Sequence, residues 1–140
     1  MAWNYTYEEL LKKVRTQLPT NVFAASERFE VPKVKGGLQG NHTIINNFKV
    51  ISDYLRRDGA HLIKFLSGEL ATQAKIESGR ADFTGKFRSE EINKKIDDYV
   101  NIFVKCSECK KPDTKLVKED RLMNMQCMAC GSKRPVRNLK

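Results

Sequence analysis

Two periods, one of three to four residues and one of two, succeed each other along this chain, and the changes mark its elements. Tyr7, Leu10, Leu11, Val14 and Leu18 recur at steps of three and four, which is the spacing of one face of a helix. Thr6-Tyr-Glu-Glu9 fits a capping box ahead of that stripe, and Pro19 stops it. A helix this short is marginal alone in water, because few hydrogen bonds repay its nucleation. Its stripe therefore needs a surface: either the core of this chain or a groove on another subunit. Residues 19–27 show no clear period.

From Phe29 the period shortens. Phe29–Lys35 is a candidate strand that Pro32 restricts to an edge or an irregular stretch. Gly36-Gly37 and Gly40-Asn41 punctuate a turn, and the β-branched Thr43-Ile44-Ile45 reads as the returning strand. Asn46 or Asn47 can cap a helix with the face Phe48, Ile51, Tyr54 and Leu55, ended by Asp58-Gly59. Leu62, Ile63, Phe65, Leu66 and Leu70 give a second helix, although Gly68 within it costs about 1 kcal/mol relative to alanine. Between Gln73 and Phe87 two short stretches turn about Ser78-Gly79, with Ala81, Phe83 and Phe87 on one face of the second. Ser89 then caps a further helix, with Glu90 and Glu91 in its first turn and a stripe of Ile92, Ile96, Tyr99, Val100 and Phe103 that runs almost directly into Cys106.

The last third changes the picture from pattern to chemistry. All four cysteines lie in two Cys-x-x-Cys pairs, Cys106/Cys109 and Cys127/Cys130, with seventeen residues between them. Two thiolates three positions apart in a tight turn bind one tetrahedral ion, and two such turns complete its shell, with Zn–S distances of about 2.3 Å. Gly131 allows the positive φ that such a turn often needs. Disulfides would require an oxidising compartment, and no signal peptide opens the sequence. A redox centre would show one such pair beside a βαβ pattern, not two pairs. One structural zinc ion is expected, its shell closed by four protein ligands and leaving no position for a catalytic water. Thr114–Lys118 and Arg121–Gln126, flanking Glu119-Asp120, are candidate strands of a ribbon closed by the two knuckles.

The expected fold is α+β: a small, mainly antiparallel four-stranded sheet with two covering helices, an N-terminal helix and a C-terminal four-cysteine zinc ribbon. The expected divisions are residues 1–20 (helix), 21–27 (linker), 28–88 (core), 89–104 (connecting helix) and 105–140 (ribbon).

Net charge is +9, which suits a polyanionic partner. Residues 105–140 hold ten Lys/Arg and four Asp/Glu, whereas residues 1–104 hold sixteen and thirteen, so the ribbon carries +6 of the excess. Lys110, Lys111, Lys115, Lys118, Arg121, Lys133, Arg134 and Arg137 are the candidate phosphate contacts; the alternative is a basic face that only solvates a small domain. Few aromatics accompany them, so stacking on single-stranded bases is not indicated. His42 and His61 have no nucleophile or carboxylate partner in sequence, and no GxxxxGK[ST] loop is present. A binding module is expected rather than an enzyme, with no nucleotide held by this chain. No run is long and apolar enough to span a membrane, and a cytoplasmic location is expected.

Gly40-Asn-His-Thr43-Ile-Ile-Asn-Asn47-Phe48, Leu62-Ile-Lys-Phe65-Leu66, and Cys106-x-Glu-Cys109-x-x-Pro112-Asp113-Thr114 with Glu119-Asp120-Arg121 and Cys127-x-Ala-Cys130-Gly131 together resemble the beta subunit of archaeal translation initiation factor two. The likeness covers essentially the whole chain, and Pro112-Asp113-Thr114 is its most specific piece. It implies a heterotrimer with alpha and gamma subunits, GTP bound by gamma, and delivery of methionylated initiator tRNA to the small ribosomal subunit. It also implies that the N-terminal helix docks on gamma, which assigns Tyr7, Leu10, Leu11 and Val14 to that partner. Glu69-Leu-Ala71-Thr72 and Ala74 depart from the family, which tends to have glycines there. Two other readings are the N-terminal region of eukaryotic initiation factor five, which shares the fold and stimulates GTP hydrolysis on gamma, and a free-standing zinc-ribbon nucleic-acid-binding protein. The partner-type helix and the end of the chain at Lys140 favour the beta subunit.

Overall fold

The capping box at Thr6 forms: the Thr6 amide donates to Glu9 Oε2 at 2.9 Å, and the Glu9 amide donates to Thr6 Oγ1 at 3.4 Å. It opens helix α1, Tyr7–Gln17. Leu18 ends the helix in an extended conformation (φ −75°, ψ 133°), as the residue before a proline must. None of the α1 residues is buried; Tyr7 is 77% exposed and Val14 51%. The computed structural model describes residues 4–18 and 29–139, so the expected linker 21–27 lies outside the described residues. The chain divides into two compact units, Met1–Glu30 and Val31–Lys140.

In the second unit the first strand lies later than its apolar pattern suggests. Residues 31–35 are irregular, and β1 is Gly36–Gln39, paired antiparallel with β2, His42–Ile45. The two glycines belong to the strand because the backbones approach closely there: a Cβ at Gly36 would collide with the Ile44 carbonyl oxygen. The turn is Gly40-Asn41, with Gly40 at φ +60°. Residues 31–35 are held by side-chain amides instead of a ladder. Asn93 Oδ1 accepts from the Val34 amide at 3.0 Å, and Asn47 bonds both the Lys35 amide and the Lys33 carbonyl at 2.8 Å. That use of Asn47 leaves it without a capping bond at the next helix, α2, Phe48–Tyr54.

Helix α2 ends at Leu55 rather than at Asp58-Gly59. Arg56 takes φ +52°, its amide reaching Asp53 O and the Arg57 amide reaching Ser52 O, both at 3.1 Å. This is a Schellman ending with arginine where glycine is usual. Asp58 instead caps the following helix α3, Gly59–Glu69, through Ala60 N at 3.1 Å. Helix α3 closes in the same way, with Ala71 at φ +50° and the Thr72 amide on Ser67 O at 3.0 Å. The alanine that departs from the family's glycine preference therefore sits in the left-handed position. Ala71→Gly is expected to stabilise the protein by about 1 kcal/mol, read as a raised midpoint in urea with an unchanged slope. A lowered midpoint would mean that the helix ends differently.

Strands β3, Ala74–Glu77, and β4, Arg80–Thr84, form the expected hairpin about Ser78-Gly79, both at positive φ. The sheet order is β1-β2-β4-β3, antiparallel throughout. Phe87 lies beyond the strand, half-buried, its amide donating to Thr43 Oγ1 at 3.0 Å. Helix α4, Ser89–Tyr99, has Arg88 rather than Ser89 at its N-cap. Its stripe is buried: Ile92, Ile96 and Tyr99 join Ile45, Ala81 and Phe83 from the sheet and Phe48, Ile51, Leu62, Phe65 and Leu66 from α2 and α3. Tyr54, expected on the inner face of α2, is exposed, and Ser52 is buried instead. His61 Nδ1 meets the Tyr99 hydroxyl at 2.8 Å, and its ring stands edge-on to Phe103 at 5.0 Å. Burial holds the His61 imidazole below its ordinary pKa and pushes the Tyr99 phenol up, so both stay neutral.

Candidate metal centre

The last turn of α4 widens into a π-helix over Val100–Val104, closed by the Lys105 amide on Val100 O at 2.8 Å. It delivers Cys106 into a three-stranded antiparallel sheet, β5 (Thr114–Glu119), β6 (Leu122–Cys127) and β7 (Lys133–Val136), in the order β5-β6-β7. The first two strands are those expected. The third carries Pro135, which its edge position tolerates, and no alternation of apolar and polar residues marks it in the sequence.

The two knuckles repeat one backbone. Cys106 O accepts from Lys110 N at 3.1 Å and Cys127 O from Gly131 N at 3.2 Å; Cys106 N bonds Lys111 O and Cys127 N bonds Ser132 O. The residue after each second cysteine is left-handed: Gly131 at φ +76°, and Lys110 at φ +61° in the equivalent place. The four Sγ atoms lie within 4.8 Å of one another. Cys106 Sγ is 3.6 Å from Cys130 Sγ, and Cys109 Sγ is 3.5 Å from Cys127 Sγ. These separations exclude disulfides, whose sulfurs lie about 2.05 Å apart. They approach the edge of a tetrahedron with metal–sulfur bonds of about 2.3 Å, which is about 3.8 Å. The Ser132 hydroxyl stands 3.1 Å from both Cys106 Sγ and Cys130 Sγ. It favours their thiolates, bringing Cys106 down to about 6 and lowering Cys130. The four cysteines can hold one metal ion with no ligand position left over.

Residues 19–133 match the family described as a domain found in initiation factors 2B and 5. The chain is 44% identical over 135 residues to the translation initiation factor 2 subunit beta of Methanococcus vannielii, covering 96% of this chain and 97% of the relative. The chain belongs to the family of beta subunits of translation initiation factor 2. It is 50% identical over 135 residues to the Methanoregula boonei beta subunit, spanning 96% of this chain but 66% of that relative's length. It is 42% identical over 134 residues to that of Archaeoglobus fulgidus, over 96% of this chain and 98% of the relative. No helix among the described residues is long and apolar enough to cross a membrane.

In this beta-subunit chain the motif Pro112-Asp113-Thr114 does more than follow a knuckle. Asp113 O accepts from Met128 N at 2.7 Å, joining the first knuckle to the second. Thr114, 6% exposed, donates its hydroxyl to Val104 O and accepts from Arg57 Nη2 at 2.6 Å. Arg57 is 8% exposed; it also donates to Phe103 O at 2.8 and 3.3 Å and to Thr114 O at 2.9 Å. Arg134 Nη2 donates to Ile102 O at 2.9 Å. Three successive carbonyls at the end of the π-helix, 102 to 104, are thus received by side chains from β7, from the loop after α2 and from β5. The positive guanidiniums also oppose the negative end of the helix dipole. Burial lowers the Arg57 pKa, yet the guanidinium keeps its charge.

The candidate cations divide by what holds them. Lys133 pairs with Glu119, and Arg137 bonds Glu69 Oε1 at 3.1 Å while lying 5.3 Å from the Phe65 ring centroid. With Arg134 they are engaged inside the fold. Lys110, Lys111, Lys115, Lys118 and Arg121 are exposed, and their side chains have no hydrogen-bond or ion-pair partner among the described residues. Sequence reasoning missed Arg57 and Ser132. Arg57 stands beside Arg56 in a charged loop, and nothing in the pattern distinguishes the buried one from the exposed one.

Proposed function

We propose that this chain is the non-catalytic beta subunit of a GTP-dependent heterotrimer, with alpha and a GTP-binding gamma subunit as partners. In that assembly it helps to deliver methionylated initiator tRNA to the small ribosomal subunit in the cytoplasm, and it holds no nucleotide itself. The observation that carries the reading is α1: a well-capped helix, in a unit of its own, whose apolar stripe is exposed. Tyr7, Leu10, Leu11 and Val14 form the gamma-docking face, laid into a groove as short amphipathic helices commonly are. The ion is one structural Zn2+ on Cys106, Cys109, Cys127 and Cys130, which the all-thiolate donor set favours. The core (28–88), connecting helix (89–104) and ribbon (105–140) form an arm that carries positive charge to RNA. Lys110, Lys111, Lys115, Lys118 and Arg121 make its phosphate contacts; Lys133, Arg134 and Arg137 add charge from positions fixed by internal bonds.

Capture by immobilised gamma subunit tests the docking face. Removing residues 1–20, or introducing Leu10→Asp with Leu11→Asp, is expected to weaken binding more than a hundredfold, as loss of anchors worth several kcal/mol would. Binding that survives both changes would place the gamma contact elsewhere.

A further inference from the structure

An open cleft of about 460 Å³ runs between α3 and the β5–β6 hairpin. Lys64 of α3 lines one side, and Lys118 with Arg121 lines the other, against a single carboxylate, Asp120. All three cations are exposed, and their head groups make no hydrogen bond or ion pair among the described residues. The turn bearing Arg121 is tied down, since Asn138 Nδ2 donates to Arg121 O at 2.6 Å. The walls themselves belong to one fixed arrangement: Arg137, one residue before Asn138, bonds Glu69 at the far end of α3. A fixed concave surface with three free cations and one carboxylate concentrates positive potential more than the same charges scattered on a convex face.

We propose that this cleft is where the RNA phosphate backbone sits, so that Lys64 of the core, and not the ribbon alone, is part of the RNA contact. The proposal rests on the reading above, that the basic ribbon meets RNA, and it fixes where. Two features favour a polymer backbone over a small anion or a base. No lining residue is buried, so there is no enclosed cage of donors for a free phosphate. Phe, Tyr and Trp are absent from the lining, and the His61 ring there is already packed against Tyr99 and Phe103, so the cleft is not built for stacking on bases. Backbone contacts of this kind position a nucleic acid without reading its sequence.

Binding of a fluorescent structured RNA to the full chain, titrated across salt concentrations, tests the placement. Lys64→Ala, Lys118→Ala and Arg121→Ala are each expected to flatten the log Kd against log salt slope by about one unit, and the triple variant by about three. Circular dichroism and melting temperature should be unchanged, because all three side chains are exposed and unbonded. Lys110→Ala with Lys111→Ala, at the first knuckle, separates the two readings. If the knuckle variant flattens the slope while Lys64→Ala leaves it at the wild-type value, the ribbon binds RNA and the cleft assignment is overturned. If the wild-type chain shows no salt-dependent RNA binding, both readings fall together.

Discussion

Treating the protein with a strong chelator, or replacing Cys106 with serine, is expected to abolish amide-exchange protection across β5–β7 and to lower the melting temperature of the Val31–Lys140 unit as a whole. Residues 105–140 form a piece too small to hold a core unaided, since chains below about 40 residues usually need a staple. Apparent binding energies of about 10–16 kcal/mol in small zinc peptides show what such a staple supplies. Between the knuckles there is little else: Met125, Cys106, Cys127 and Thr114 are the buried ribbon residues. The effect reaches the core through Thr114. When β5 loosens, Arg57 loses two of its acceptors and remains a buried cation bonded to Phe103 O and the adjacent Arg56 carbonyl. Helical signal should survive at low temperature, with its midpoint reduced by about 10 °C or more, taking about 4 °C per kcal/mol for a domain of this size. A midpoint indifferent to chelation would show that ribbon and core melt independently. Absence of stoichiometric metal from the purified, reduced protein would remove the metal centre itself.

Arg57→Ala is expected to cost about 3–5 kcal/mol, as much as truncating a fully buried aromatic side chain. The substitution orphans Phe103 O and Thr114 O in a buried place, each at about 1–3 kcal/mol, and leaves a void where the guanidinium lay. Arg57→Lys keeps the charge but cannot reach both carbonyls with a planar fork, so roughly half the loss should remain. Urea unfolding measures both. Arg56→Ala is the control: the neighbouring side chain is exposed, and its contact with Asp113 is a solvated pair at 4.0 Å, worth little. An Arg57→Ala loss below about 1 kcal/mol would mean that water or a relaxed backbone satisfies those carbonyls.

Much of this was legible in the sequence because the signals were local. The capping box, the Ser78-Gly79 hairpin, the cysteine spacing and the two-helix cover each depend on residues close in the chain. What escaped depends on contacts across it. Pro32 correctly argued against a regular strand at 29–35, but the pairing of Gly36-Gly37 with Ile45 and Ile44 is set by close backbone approach, which no propensity encodes. By position either Asn46 or Asn47 can cap the next helix; Asn47 instead serves residues twelve and fourteen positions earlier. Arg134 and Arg137 resemble every other basic residue of the ribbon until Ile102, Glu69 and Phe65 are brought beside them.

A π-helical turn is an α-helix into which one extra residue has been threaded. Residues 100–104 therefore act as a phase setting: the wide turn absorbs one residue, and winding the same five as ordinary α-helix would swing everything downstream by about 100° around the axis of α4, the angle one residue subtends. The direction in which the four-cysteine tip points is thus encoded by a count of residues, not by the chemistry of any one of them.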